Sequence, residues 1–248
     1  MNIKKKVIVI VPAYNVEKTI HKVFQRIPKS FLPNIAEFIV INDGSIDNTV
    51  KVIQKMKSEY RITLINKEQN EGYARAQKTG FKLALDNNAE ISILLHSDGQ
   101  YSPEVMPILA EPLLKKRFDI VMGSRMMKPG EALKGGMPLY KFVANILLSK
   151  LENLCYGLNH TEYHSGYMLY SRKALQNIPF EKLSDTFHFD GEMLLVASML
   201  NLRIHEIPIP TKYGDEKSYL RPIEYGFDVL KIMLKYKLGG YNFIISKK

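Results

Sequence analysis

The sequence has few of the features that would place a protein outside the cell or within a membrane. It holds a single cysteine, Cys155, so no internal disulfide can form, and we expect a buried thiol in a reducing compartment. No apolar run approaches the roughly 20 residues needed to cross a bilayer. The apolar run at 7–11 is shorter than the roughly 7–15 residues of a signal-peptide core, so we interpret it as a buried strand. The expectation is a cytoplasmic protein without a membrane span.

Acidic residues are too few to balance the basic ones, and the formal net charge is +10. Such a charge is compatible with nucleic acid, anionic lipid or small phosphorylated ligands as partners. The basic residues are scattered, however, and no nucleic-acid-binding signature is present, so no nucleic-acid partner is expected. There is also no internal repeat or low-complexity tract, and the 46% of hydrophobic residues is enough for one sizeable core.

Short β-branched runs alternate with stretches of helical spacing along the first half of the chain. We predict strands buried on both faces at 7–11, 38–41, 63–65, 91–95 and 119–122, and helices at 17–27, 47–60 and 72–86. This alternation predicts an α/β fold, a mainly parallel, Rossmann-like central sheet flanked by helices. Later stretches are predicted as a loop followed by a helix at 130–157 and 183–200, and as a final helix at 225–238.

Polar residues follow the predicted strands, where ligands bind in open parallel sheets. After the first strand, Asn15 either caps the next helix or belongs to one wall of a nucleoside pocket. This loop lacks the glycines and lysine expected of a nucleotidyltransferase. After the second strand, Asp43 either accepts hydrogen bonds from a ribose or base, or lies in a turn with a helix cap at Ser45 or Asp47.

Two further segments carry groups suited to a diphosphate. The segment around Gly72 opens a helix whose free amides, with Arg75, could face a diphosphate, unless Gly72 only permits a tight turn. After the fourth strand, Asp98 and Gln100 present oxygen ligands with a glycine between them. A hard divalent cation that bridges two phosphates is adequately held by such a pair. The alternative is an Asx turn stabilised by Asp98.

Taken in order, these segments resemble the family 2 glycosyltransferases with the GT-A fold, and among them the dolichyl-phosphate mannose synthase-like branch. The resemblance covers about residues 5 to 225, so we expect one GT-A domain at 1–225, followed by a basic amphipathic helix and tail at 226–248. It is carried by Pro12-Ala13-Tyr14-Asn15, Asn42-Asp43-Gly44-Ser45-Ile46-Asp47, Asn70-Glu71-Gly72, His96-Ser97-Asp98-Gly99-Gln100, Gly123-Ser124-Arg125, Glu162 to Tyr167, Phe189-Asp190-Gly191-Glu192 and Glu206 to Pro210.

The resemblance implies a donor site for a nucleotide diphosphate sugar, with Mg2+ or Mn2+ on Asp98 and Gln100. Arg125 would meet phosphate charge. The expected donor residues are Pro12, Tyr14, Glu17, Asp43, Gly72, Arg75, His96, Ser97 and Asp98. The chain departs from the family where His96 replaces the first aspartate of the DxD motif, and His96 is left as a metal ligand, a nucleotide contact or a polar strand-end residue.

The acceptor half departs from the family as well, because Glu162-Tyr163-His164 stands where the family has Asp-Pro-Thr. Glu162 and His164 are predicted to contact the acceptor, and contacts of His160 and His164 with the acceptor are favoured over a second metal. The resemblance implies inversion at the anomeric carbon by a single displacement. Asp190 and Glu192 are the candidate general bases, required only if the acceptor is a hydroxyl group.

Three functions remain open at this point: hexosyl transfer from a UDP- or GDP-sugar to polyprenyl phosphate, transfer to a saccharide hydroxyl, and nucleotide-sugar binding without turnover. Residues 221–248 contain six basic and two acidic residues. A basic amphipathic helix there would lie on an anionic membrane surface, which suits a peripheral protein on the inner face. The alternative is a helix that packs on the domain or on a second subunit of a homo-oligomer.

Overall fold

The computed structural model describes residues 6–211, 213 and 221–245. Its strands, which form one sheet, are β1 Val7–Ala13, β2 Ile35–Asp43, β3 Ile62–Lys67, β4 Ile91–Leu94, β5 Ile120–Ser124, β6 Met168–Ser171 and β7 Ile204–Pro208. Its α-helices are α1 Ile20–Gln25, α2 Thr49–Met56, α3 Tyr73–Asp86, α4 Met106–Leu114, α5 Glu131–Lys134, α6 Leu139–Tyr156, α7 Arg172–Asn177, α8 Phe189–Met199, α9 Pro222–Lys237 and α10 Asn242–Ile245.

The sheet is mainly parallel, which confirms the predicted α/β class. The strand order is β3-β2-β1-β4-β6-β5-β7, and β6 alone runs antiparallel to its two neighbours. The chain leaves β1 towards β2 on one side and later returns to place β4 on the other side. Strand order therefore reverses at β1, and the carboxyl ends of β1 and β4 border the crevice where such folds bind ligands.

The two faces of β1 pack into two separate hydrophobic clusters. Ile8 and Ile10 belong to the cluster that contains Phe81 of α3, whereas Val9 and Val11 belong to the cluster that contains Phe24 of α1. Because both faces are covered, the strand has no polar face, and its sequence is an unbroken apolar run. This two-sided burial determines where along the chain β1 ends and the polar loop begins.

Some predicted elements differ from the observed ones. β3 is half-buried rather than buried on both faces, because it is the edge strand of the sheet. Asn15 does not cap α1, which begins at Ile20 after Thr19. Sequence patterning gave no sign of β6, β7, α4 or α7. β6 is only four residues long, and β7 mixes His205 and Glu206 with apolar residues, so neither has a clear strand period.

The C-terminal helices belong to the same body as the sheet. The division expected at residue 225 falls within α9, which packs against α6, and both Val229 and Ile232 of α9 are buried. Tyr241 and Ile244 join the core cluster that contains Ile8 and Ile10 of β1. The last three residues of the expected tail lie outside the described residues. Among the helices described, none combines the length and the hydropathy that a membrane span requires.

Candidate active site

A cavity of about 960 Å3 opens at the carboxyl ends of the central strands. The loop that follows β1 lines one wall, the residues after β4 line the floor, and the N-terminal half of α6 lines the opposite wall. Twelve of the predicted site residues line it: Pro12, Tyr14, Glu17, Asp43, Gly72, His96, Ser97, Asp98, Gln100, Arg125, His164 and Asp190. Arg75, Glu162 and Glu192 do not line it. The strand-end segments singled out in the sequence thus meet at one place.

The loops after β1 and β2 are tied together beside the cavity. The Asn15 amide donates to the Ser45 hydroxyl across 2.9 Å, and the Asn15 side-chain oxygen accepts from the Ile46 amide across 2.9 Å. Glu17 Oε2 accepts from the Asn48 amide, also at 2.9 Å. The Glu17 carboxylate therefore bridges the two loops at the edge of the cavity. These bonds give this side of the cavity, where we predicted a nucleoside pocket, a defined shape.

Asp43 acts on the protein's own backbone. Its two carboxylate oxygens accept from the amides of Glu71 and Gly72, at 3.1 and 2.9 Å. Those two amides were expected to face a diphosphate, and the structure corrects this, because Asp43 already occupies them. Gly44 has a φ of +71°, and an added Cβ would lie 2.5 Å from the Gln69 carbonyl carbon, so glycine is required at this close approach.

Arg75 lies outside the cavity. Its Nε donates to Asp185 across 2.9 Å, and its side chain is 55% exposed. Arg75 follows Tyr73 by two positions on α3, and residues two apart on a helix point in different directions. Tyr73 takes the inward position and lines the cavity. The phosphate contact predicted for Arg75 is therefore corrected.

Asp98 and Gln100 share the floor of the cavity. Asp98 Oδ1 accepts from the Gln100 amide across 3.0 Å, which is the Asx turn considered as the alternative to a metal role. Ser97 is buried and donates to the Pro12 carbonyl oxygen across 2.6 Å, and this bond ties the loop after β4 to the end of β1. No group of three or more His, Cys, Asp or Glu side chains suited to a metal occurs among the described residues. This donor set suits a cation that is shared with phosphate oxygens rather than one that is bound by protein alone.

His96 belongs to a hydrogen-bonded chain that ends at Asp190. The Tyr73 hydroxyl lies 2.7 Å from Asp190 Oδ2 and 3.0 Å from His96 Nε2, and His96 Nε2 lies 3.1 Å from the Gly166 carbonyl oxygen. The Tyr73 hydrogen goes to the carboxylate and a carbonyl oxygen can only accept, so both neighbours of His96 Nε2 are acceptors and we assign a hydrogen to this nitrogen. That nitrogen is consequently unavailable as a metal ligand.

Asp190 is 5% exposed, and its Oδ1 has no hydrogen-bond partner among the described residues. Burial raises the pKa of the Asp190 carboxyl above its ordinary value, and the hydrogen bond from Tyr73 opposes that rise. Gly166 allows the loop before β6 to approach this chain, because an added Cβ would lie 2.7 Å from the Tyr73 hydroxyl. Of the two candidate bases, Asp190 is the one that the structure brings to the cavity.

Arg125 is paired with Glu162 at the base of the opposite wall. Its amide and Nε donate to Glu162, at 2.8 and 2.9 Å, and its Nη2 donates to the His164 carbonyl oxygen across 2.6 Å. Burial is the largest single influence and disfavours the charge on Arg125, but Glu162, Tyr101 and Tyr213 together outweigh it, and the pKa of the guanidinium is raised well above its ordinary value. Glu162 is fully buried and also accepts from Asn145. The expected acceptor contact of Glu162 is corrected, because its carboxylate neutralises Arg125.

Glu192 points away from the cavity. Its carboxylate accepts from the Tyr241 hydroxyl across 2.5 Å and from the Ser184 amide across 2.7 Å. Lys235 Nζ lies 3.3 Å from the same carboxylate. The candidate base Glu192 is therefore a buried anchor for the C-terminal region. His160 also lies outside the cavity, with its Nδ1 3.9 Å from Glu206.

Sequence reasoning missed several residues of the cavity wall. They are Tyr73, Tyr101, Tyr140, Lys141, Asn145, Tyr213 and Tyr225. Lys141 is the notable one, since it brings a cation to the wall that α6 supplies and lies over the Tyr213 ring at 5.6 Å. The signal that could have identified it is helical spacing, because Lys141, Asn145 and Leu148 fall on one side of the predicted helix.

A Rossmann-like sheet whose strand ends hold a cavity with Asp98, Gln100, Arg125 and Asp190 defines a glycosyltransferase of the GT-A class. Residues 8–178 match the domain described as glycosyl transferase family 2, and the chain belongs to this family. The resemblance seen in the sequence is thereby confirmed.

Two named relatives are matched over most of their length. The chain is 31% identical over 250 residues to UDP-N-acetylglucosamine–dolichyl-phosphate N-acetylglucosaminyltransferase of Methanococcus voltae, covering 95% of this chain and 97% of that one. It is 25% identical to undecaprenyl-phosphate mannosyltransferase of Micrococcus luteus, covering 82% of each. Among solved structures, glucosyl-3-phosphoglycerate synthase of Mycobacterium tuberculosis in complex with Mn2+, UDP and glucosyl-3-phosphoglycerate shares the fold. That match has a TM-score of 0.64 and 20% identity, and it covers 95% of this chain and 80% of that one.

Proposed function

We propose that this glycosyltransferase moves a hexose from a UDP- or GDP-sugar to polyprenyl phosphate, with inversion, while bound peripherally to the cytoplasmic face of a membrane. Relatives that span nearly the same length carry names in which the acceptor is dolichyl or undecaprenyl phosphate. The proposal needs a cavity that can receive an anionic head group and an adjoining apolar surface for the chain of the lipid.

The observation that carries the proposal is the two-sided character of α6. One side places Lys141, Asn145 and Leu148 in the cavity wall. The other side is an exposed apolar stripe, which we call the α6 stripe, consisting of Val143, Leu147, Leu151 and Leu154 at 45, 57, 46 and 81% exposure. One helix thus offers a cation to the cavity and an exposed apolar surface on its other side.

Helix α9 extends this apolar surface. It packs on α6 through its buried residues, while Phe227, Leu230 and Leu234 remain exposed at 59, 47 and 59%. Contiguous apolar surface of this extent on a soluble domain marks an interaction site. Lys150 and Lys231 are exposed on the same two helices, and cations beside an apolar face favour an anionic lipid surface.

A divalent cation, Mg2+ or Mn2+, fits the donor side of the cavity. Asp98 and Gln100 would hold it together with the diphosphate oxygens, and it would offset the negative charge that develops on the departing diphosphate. The Arg125–Glu162 pair in the opposite wall is neutral as a unit. Glu162, Tyr213 and the His164 carbonyl oxygen use four of the five guanidinium hydrogens, so Arg125 can orient a phosphate through the remaining hydrogen on Nη1.

The reaction is a direct displacement at the anomeric carbon. An acceptor phosphate oxygen forms the new bond to this carbon from the face opposite the diphosphate, and the bond to the diphosphate oxygen breaks with its electron pair. The product is the inverted hexosyl phosphate lipid together with the nucleoside diphosphate. A phosphate acceptor is already anionic, so no general base is required, and positioning by Lys141, Arg125 and His164 is the contribution of the acceptor side.

A saccharide hydroxyl is the second candidate acceptor, and Asp190 is the observation in its favour. A hydroxyl must lose a proton, and a desolvated carboxyl group with a raised pKa is a suitable base for that step. The Asp190→Asn variant separates the two acceptors. Transfer to a hydroxyl should fall at least about 100-fold, the usual contribution of a general base, whereas transfer to a phosphate should fall less than about tenfold.

The test is to incubate the full chain with a panel of UDP- and GDP-sugars, Mg2+ or Mn2+, and either polyprenyl phosphate or a soluble saccharide. Release of the nucleoside diphosphate is measured, and the anomeric configuration of the product is read by NMR. We expect release only with polyprenyl phosphate and an inverted product. Release with saccharide alone would refute the proposed acceptor. Tight nucleotide binding without release under any condition would favour a binding protein.

A further inference from the structure

Four side chains behind the acceptor end of the cavity form a closed ring of polar contacts. Glu152 of α6 places Oε1 2.8 Å from His188 Nε2 and Oε2 3.3 Å from His164 Nε2. The Tyr225 hydroxyl of α9 lies 2.7 Å from His164 Nδ1 and 3.0 Å from His188 Nδ1. We call Glu152, His164, His188 and Tyr225 the polar ring. The mechanism above uses only His164.

The members of the polar ring differ in their access to the cavity. The side chains of Glu152 and His188 have no exposed surface, and that of His164 is 7% exposed. His164 and Tyr225 line the cavity, whereas Glu152 and His188 lie behind them. Glu152 and His188 therefore cannot touch a ligand in the cavity, and any effect they have must pass through the other two.

The contact between Glu152 Oε2 and His164 Nε2 lacks hydrogen-bond geometry, and neither atom has a hydrogen-bond partner among the described residues. The other three contacts of the polar ring are hydrogen bonds that form a chain. We assign its hydrogens so that Glu152 Oε1 accepts from His188 Nε2, His188 Nδ1 accepts from the Tyr225 hydroxyl, and the Tyr225 oxygen accepts from His164 Nδ1. This chain ties the two members behind the cavity wall to the two that line it.

Burial, together with His188 and Arg125, lowers the pKa of His164 well below its ordinary value, which favours the neutral form of this histidine. Every element around the polar ring contributes ionisable neighbours. Asp190 faces His188 and Tyr225, Glu162 and Arg125 face Tyr225, and Cys155, Tyr156 and Tyr163 face Glu152.

The polar ring is connected to the cavity by two routes. The His164 carbonyl oxygen accepts from Arg125 Nη2 across 2.6 Å, so the position of His164 sets that of the guanidinium. Tyr225 lies in the first turn of α9, so its two histidine partners fix the start of that helix against α6. Both routes end at the wall that we assign to the acceptor.

We propose that Glu152 and His188 are positioning residues for the acceptor, because the hydrogen bond between them holds His164, Tyr225 and Arg125 in a single arrangement. The identity of the acceptor in this inference rests on the proposed function. The hydrogen-bond pattern of the polar ring does not.

The first test is 15N NMR of the full chain labelled at histidine, which shows which ring nitrogen carries a hydrogen. We expect the hydrogen of His188 on Nε2 and that of His164 on Nδ1. Glu152→Gln should change the signals of His188, because the carboxylate that accepts from its Nε2 is lost. Glu192→Gln is the matched control, since Glu192 is equally buried but outside the polar ring, and it should leave the signals of His188 unchanged.

The second test is steady-state kinetics with polyprenyl phosphate. Glu152→Gln should raise the acceptor KM about tenfold, the size expected for removing a buried charged hydrogen-bond partner, and leave the donor KM unchanged. Equal rises in both KM values would indicate general destabilisation and overturn the inference, as would a His188 without a hydrogen on Nε2 in the wild type. If Glu152→Gln does not fold, Tyr225→Phe provides the same readouts, because it removes the hydroxyl group that contacts Nδ1 of both His164 and His188. If the wild type does not use polyprenyl phosphate, the proposed function fails, and the NMR result alone decides whether the polar ring exists.

Discussion

Tyr73 donates its hydroxyl hydrogen to Asp190 across 2.7 Å and so connects α3 to the start of α8 beneath the cavity. This bond favours the ionised form of a carboxyl group that burial would otherwise keep protonated. The same hydroxyl accepts from His96, so one side chain links the end of β4 to the candidate base. Three separate segments of the sequence meet at this oxygen atom.

Tyr73→Phe should therefore raise the pKa of Asp190 further. The pKa in the folded state already exceeds the ordinary value, so folding stability contributed by Asp190 falls as pH rises from the ordinary pKa to the folded one. The variant widens that interval towards higher pH. The measurement is 13C NMR titration of the carboxyl groups in aspartate-labelled protein. Tyr167→Phe is the control, because the Tyr167 hydroxyl is buried without a hydrogen-bond partner in the described part of the chain. An unchanged Asp190 titration in Tyr73→Phe would contradict the assignment.

Asp98→Ala should remove the carboxylate that we propose for the divalent cation. Because the cation and the diphosphate support each other, we expect Mn2+ and UDP or GDP to lose their mutual enhancement of binding. Turnover should fall at least about 100-fold, since a metal supplies several kcal/mol of charge stabilisation. Electron paramagnetic resonance titration of Mn2+ with and without nucleotide measures the first effect. Asp86→Ala removes an exposed carboxylate at the end of α3 and should change neither value. Full turnover of Asp98→Ala would refute the metal role.

Glu162→Gln should leave Arg125 as a buried charge without its counter-ion. Breaking a buried pair in this way costs about 3–5 kcal/mol of unfolding free energy, and the retained amide should hold the loss near the lower figure. The double variant with Arg125→Met removes both charges and should recover a large part of the loss without recovering activity. Urea unfolding measures the three stabilities. Losses that simply add in the double variant would show that the two side chains are not coupled.

The positions of the strand ends could be predicted from the sequence because their causes are local. A run such as 7–11 has no polar face, and the strand that it forms continues only to Ala13 before the polar loop begins. Site residues at or just after the ends of such strands, such as Tyr14, Asp43 and Asp98, line the cavity. β6 could not be predicted in the same way, because four residues carry too little pattern and its antiparallel place between β4 and β5 depends on contacts far along the chain.

The roles of charged side chains were harder to predict than their positions. Asp43 and Glu162 were both placed correctly near the site, but their carboxylates are used by partners 28 to 29 and 37 residues away. A sequence pattern does not show which amide or guanidinium a carboxylate will meet. The predicted cavity contacts of Glu192 and Arg75 are absent for a second reason. Both residues lie on helices, and the direction in which a side chain leaves its helix decides whether it reaches the cavity or points away from it.

The α6 stripe yields the most direct test of membrane attachment. The double variant Leu147→Glu with Leu151→Glu replaces two exposed apolar side chains by carboxylates. Each replacement removes about 1.5–3 kcal/mol of stabilisation from apolar burial in the lipid interface. Each new carboxylate is also repelled by anionic lipid. We therefore expect binding to phosphatidylglycerol-containing vesicles, measured by flotation, to fall at least about tenfold. Ile108→Glu is the matched control, because Ile108 is 58% exposed on α4, away from the stripe. Transfer to a short, water-soluble prenyl phosphate should persist in the double variant, since neither leucine lines the cavity. Undiminished vesicle binding would place the membrane contact on another surface.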